Sequence, residues 1–91
     1  MTIGQTEIAR IDALITALGE DVQAEGLDHA LRRLVPDVQL RHCDASDVLE
    51  EPFRRVGTVD LHLLDTRNHC IAVTSQAEEA TALLIAQRAS P

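Results

Sequence analysis

Apolar residues recur at helical spacing in the first third of the chain, and further on they alternate. Ile8, Ile11, Leu14, Ile15 and Leu18 fall on one stripe, with Glu7, Arg10 and Asp12 on other faces, which predicts an amphipathic helix. Thr2 with Gln5, or Thr6 a turn later, would cap it, and Gly19 would stop it. A second helix is expected from near Asp21, carrying Val22, Leu27, Leu31 and Leu34 and ended by Pro36. Gly26 loosens its first half, and Asp28 and Arg32 form a favourable i,i+4 pair. From Val38 to Cys43 the period becomes two: Val38, Leu40 and His42 take one face of a strand, and Gln39, Arg41 and Cys43 the other.

Asp44 to Gly57 is the least regular region. Its acidic first half suggests one helical turn capped by Ser46, stopped by Pro52, with Phe53 as an apolar anchor. Next, Thr58–Asp65 and His69–Thr74 read as two strands joined at Thr66-Arg67-Asn68. The Asp65 carboxylate suits the start of a type I turn, because it can accept a backbone N–H two residues on. Asn68 tolerates the left-handed conformation that closes such a loop. With Asp65 opposite His69, the register places Val59, Leu61, Leu63, Ile71 and Val73 on one apolar face. Asp60, His62, Leu64, Cys70, Ala72 and Thr74 take the other. Ser75 and Glu78 have capping-box spacing, and Ala77, Ala80, Leu83 and Leu84 form the stripe of a last helix, interrupted at Gln87. The expected fold is α+β: two N-terminal helices, a three-stranded antiparallel sheet, and a C-terminal helix packed on its apolar face.

Ninety-one residues make one domain, spanning residues 1–91. A chain this short buries only a little over ~60% of its unfolded surface, so a partner or a second copy would add needed stability. The hydrophobic fraction is 45%, yet Phe53 is the only aromatic residue, so the core is aliphatic. The formal charge of −7 argues against nucleic acid, whose binding rests on cations that meet phosphates. All eight cationic residues are arginine, which excludes lysine Schiff-base chemistry. No apolar run approaches the ~18 residues of a membrane span, and the first residues lack the form of a secretory signal. Two cysteines give no disulfide framework, so a reducing cytoplasm is the expected compartment.

Candidate chemistry concentrates on the outer sheet face. The dipeptides His42-Cys43 and His69-Cys70 cannot each grip one ion, since strand neighbours point to opposite faces. Sorted by face, Cys43, His62 and Cys70 would share the outer side with Asp60 nearby, a donor set suited to a transition metal. Against this stands the ordinary use of cysteine as a small core residue. A Cys-His nucleophile lacks a third orienting group. Asp44, Asp47, Glu50 and Glu51 follow no calcium-loop pattern and read as a solvated acidic turn.

The run Leu64-Asp65-x-Arg67-x-His69-Cys70, a strand ending at Thr74, then Glu78/Glu79-Ala80-Thr81 resembles a family of small bacterial proteins of unknown function. Their hairpin reads Asp-Gly-Arg-Glu/Asp-His-Cys, and several are encoded alongside nitrogen-fixation genes. The resemblance runs from about Leu34 to Leu84 and is specific around the hairpin, where Thr66 replaces the glycine and Asn68 the acid. It implies an accessory role in a metalloenzyme pathway and carries no activity with it. The expected function is therefore non-enzymatic: a small accessory or interaction protein that binds a protein partner or a second copy, with no cofactor. The alternative is metal binding or metal delivery through Cys43, His62 and Cys70.

Overall fold

A computed structural model describes residues 3–67 and 70–88. Helix α1 (Gln5–Leu18) buries Ile11 completely and packs Ile8, Leu14, Ile15 and Leu18 at the edge of the main core, the stripe the spacing predicts. No side chain among the described residues caps it. It begins at Gly4, whose carbonyl accepts the Ile8 N–H at 3.0 Å. Gly19 ends it at φ 73°, a left-handed region that favours glycine, and a short 3-10 turn (Gly19–Asp21) follows. Helix α2 (Ala24–Leu34) thus starts later than expected and sinks Leu27 and Leu31 into the core. Asp28 accepts from Arg32 at 2.9 Å, as the i,i+4 spacing predicts.

The sheet overturns the expected three antiparallel strands. It has five strands: β1 (Gln39–Asp44), β2 (Arg54–Val56), β3 (Val59–Asp65), β4 (Ala72–Thr74) and β5 (Ala82–Gln87). The lateral order is β1-β5-β3, with β2 and β4 both on the far edge of β3. Pairing is mixed. β1 runs parallel to β5, while β5, β2 and β4 all run antiparallel to β3.

The expected C-terminal helix is instead the central strand β5. After one 3-10 turn (Ala77–Glu79), Ala82-Leu83-Leu84-Ile85-Ala86 is buried on both faces. A surface helix would bury only one stripe of these side chains. Between β1 and β3 every one of them leaves water, which is why strands covered on both sides read as unbroken apolar runs. The strong helix preference of Ala and Leu is outweighed by this burial.

The hairpin register also differs. Leu64 pairs with Val73 and Asp65 with Ala72, three residues away from the expected alignment. A slip by an odd number exchanges faces. Val59, Leu61 and Leu63 share one apolar face as expected, but α1 and α2 cover it where a C-terminal helix was expected, Val73 joins Leu64 on the outer side and Ile71 is left 45% exposed. The Asp65 carboxylate accepts the Arg67 N–H at 3.0 Å, the turn contact the sequence implies. The proposed roles of Asn68 and His69, and of Thr2, lie outside the described residues.

A second hairpin, β2 to β3, forms inside the stretch with no regular apolar pattern. Val56 pairs with Val59 across Gly57-Thr58, and Gly57 sits at φ 57° in the first central position, as a type II′ turn requires. Replacing Gly57 with alanine should lower the urea-measured unfolding free energy by about 1 kcal/mol, the strain of an L residue at that φ. Because β1 and β2 lie at opposite edges, the chain between them must cross a sheet face. Val48 packs on Leu64, Ala82 and Leu84, so the crossing strap runs over the outer side. At the other face Arg54 binds the Asp12 carboxylate through two nitrogens at 2.7 and 3.1 Å, tethering β2 to α1.

Candidate functional site

The alternation of β1 places Cys43 on the outer face, and that of β3 places His62 there too. The strand order then separates them. Cys43 pairs with Ala86 on β5, and Ala86 pairs with Asp60 on β3, so a full strand lies between the two candidate ligands. Cys70 is exposed beside β4, beyond β3. The three do not converge, and among the described residues no three His, Cys, Asp or Glu side chains are grouped as a metal ion would need. The sequence sorts these residues by face alone, and a shared face brings side chains together only where their strands are neighbours. Inserting β5 between β1 and β3 removes that adjacency.

His62 is instead a buried residue, 2% exposed, and its Nδ1 has no hydrogen-bond partner among the described residues. It sits opposite Leu84. Burial lowers its pKa, outweighing the opposite pull of the nearby Asp60 and Glu50 carboxylates. Cys43 is shifted the other way: burial raises its pKa, helped by Asp47 and Asp44. That shift keeps Cys43 a neutral thiol at pH 7, a poor nucleophile and a poor ligand.

Two charged clusters fix the sheet ends. Asp60 is nearly buried and lies 3.3 Å from Arg88 Nε and 3.6 Å from Arg55 Nε. The Arg88 guanidinium also donates to the Gly57 carbonyl, and its backbone N–H donates to Thr58 at 2.8 Å. Together these tie the end of β5 to the β2–β3 turn. At the other end the Arg67 guanidinium meets both Asp65 oxygens, at 2.9 and 2.8 Å, which takes the Asp65 pKa down to about 2.

The most available binding feature is backbone. Thr58 and Leu61 show the direction of the β3 groups: the Thr58 carbonyl accepts from Arg88 on the β5 side, the Leu61 carbonyl from Phe53 on the β2 side. Even-numbered residues of β3 therefore bond toward β5, and the register carries this alternation across to β1. Gln39, Arg41 and Cys43 bond inward to β5. Leu40, His42 and Asp44 turn their N–H and C=O outward, where no strand pairs with them among the described residues. Charges of both signs flank this edge: Asp28 Oδ1 lies 3.4 Å from His42 Nε2 and 2.9 Å from Arg32 Nε, Arg41 stands within the strand, and Asp44 and Asp47 lie at its end. Length and exposure mark β1 as open: six residues, mostly solvent-facing. The alternating pattern of Val38 to Cys43 signalled this strand, but its edge position needed the sheet order.

Among known proteins, the model of a family of unknown function, DUF6129, matches residues 13–88, from within α1 to just past β5. No curated protein and no solved structure matches significantly.

Proposed function

We infer from the fold of this chain, which belongs to DUF6129, a family of unknown function, that it is a small non-enzymatic interaction domain. One observation carries the reading: on the outward edge of β1, the backbone groups of Leu40, His42 and Asp44 pair with no strand among the described residues of the five-stranded sheet. Such an edge recruits an extended segment of another protein by strand addition, with main-chain hydrogen bonds for affinity and alternate side chains for specificity. The charge of −7 and the carboxylates around β1 favour a segment rich in arginine or lysine. An accessory role beside a metalloenzyme pathway such as nitrogen fixation, implied by the sequence resemblance, is the setting that fits this reading, and the partner is a second protein chain.

The test uses a His42→Pro variant. Proline there removes an outward N–H while leaving the inward bonds of Arg41 and Cys43, the placement in which edge strands tolerate it. Wild type and variant should melt within a few degrees of each other. A partner captured by the wild type from its native host and identified by mass spectrometry should be lost by the variant. In the reconstituted pair, the amides of Leu40 and His42 should exchange with deuterium more slowly. Unchanged exchange at both amides would refute strand addition at β1. Slowing that grows with concentration in the protein alone would identify a second copy as the added strand.

A further inference from the structure

The opposite edge of the sheet carries a different feature. β2 and β4 share the free side of β3 end to end, and between Arg54 and Thr74 they leave a gap. A notch of about 370 Å³ opens there, with Leu63 at its base, Phe53 and Val73 as walls, and Glu50 and Glu51 at its rim. This lies at the small end of the roughly 300–1,000 Å³ range of ligand sites. Leu49, next to the rim, is 93% exposed, the most exposed large apolar side chain described. Phe53, the sole aromatic residue, is stiffened by Arg54, whose guanidinium lies 4.1 Å from the ring centre while Asp12 holds it. Neither Glu50 nor Glu51 takes part in an ion pair among the described residues, although most other charges near the sheet ends do.

We propose that this notch is a second docking site, for an extended protein segment that presents an arginine or lysine beside an aliphatic residue. The cation would lie between Glu50 and Glu51, and the aliphatic side chain would pack on Phe53, Val73 and Leu49. Charge selects the occupant: the paired carboxylates and the −7 chain repel nucleic acid and anionic lipid and attract a basic segment. The notch opens on the edge opposite β1 and does not depend on strand addition there. Occupied together, the two edges would let one small domain hold two chains side by side.

The probe is a capped hexapeptide of alternating arginine and leucine, with alternating glutamate-leucine and arginine-serine peptides as controls. Titrated into the ¹⁵N-labelled full chain, the arginine-leucine peptide should shift amide resonances of Leu49, Glu50, Glu51, Phe53, Val73 and Thr74. The glutamate-leucine peptide should leave them in place, and the arginine-serine peptide should bind more weakly. The double variant Glu50→Gln/Glu51→Gln, both positions being exposed or nearly so, should keep the wild-type melting temperature and lose about tenfold in affinity, the combined worth of two exposed charge contacts. Raising salt should weaken the wild type toward the variant. Equal affinity for the arginine and glutamate peptides, shifts confined to β1, or a double variant that binds like the wild type would each overturn the proposal. A notch response that persists in the His42→Pro variant would support a site independent of strand addition at β1, and a response lost in that variant would overturn it.

Discussion

An Ile85→Ala variant should unfold with about 2–5 kcal/mol less free energy than the wild type, the usual loss when a large aliphatic side chain leaves a closed core. Ile85 is 1% exposed, pairs with Leu61 on β3 and His42 on β1, and belongs to the main core beneath the helices. For a domain whose whole stability is of order 5–15 kcal/mol, the loss amounts to a drop in melting temperature of roughly 10–30 °C. The position discriminates sharply between two structures for the last segment. On the helix that the 3.6-residue spacing suggests, Leu83 and Leu84 would be inside and Ile85 off the stripe, so Ile85→Ala would change stability by less than about 0.5 kcal/mol. Urea unfolding of the single variant distinguishes them. A near-neutral result would return β5 to a helix and remove the adjacency on which the β1 edge depends.

Replacing His62 with leucine should stabilise the protein, by about 1–3 kcal/mol at neutral pH, because it fills the same buried space without stranding a ring nitrogen. Nδ1 has no partner among the described residues, and the residue is 2% exposed on the sheet face that Val48 of the strap also covers. The wild type should also show an acid limb that the variant lacks. Burial lowers the His62 pKa in the folded state relative to 6.5, the ordinary value. Between those two values the unfolded chain binds the proton and the folded one does not, so stability falls as pH drops below about 6.5. Above 6.5 the contribution is complete. Below the folded pKa it levels off. The charged groups facing the ring, Asp60 on β3 and Glu50 on the strap, act to narrow this window by favouring the protonated ring. Unfolding free energies at pH 7.5, 6.5 and 5.5 should fall more steeply for the wild type than for His62→Leu. Parallel slopes would mean that the ring reaches water in the folded state.

Asp65 titrates in a separate range. Its pKa of about 2, held down by Arg67, keeps the pair intact through all the pH values above, so the acid limb below 6.5 belongs to His62 and not to the hairpin turn.

What the sequence determined by itself was local. A 3.6-residue apolar period with glycine after it was enough for α1, and the i,i+4 pair Asp28–Arg32 formed where the spacing put it. Alternation was enough to sort Leu40 and His42 from Arg41 and Cys43, and Val59, Leu61 and Leu63 from Asp60, His62 and Leu64. The type II′ turn at Gly57 is written locally too, as a Gly-Thr pair between two valines, but it lies inside a stretch whose apolar pattern is irregular. Only the tertiary structure decided what Ala82–Gln87 became. Five apolar residues in a row satisfy a helical stripe and a doubly covered strand equally well, and the choice depends on whether β1 and β3 leave a slot to be filled. Strand order followed from that choice, and with it the fate of Cys43, His62 and Cys70. A face is a property of one strand and can be read from its period. Proximity between strands depends on which of them is neighbour to which, and in this chain the residue pairs that set the order are separated by about forty positions, from Gln39 to Ala82.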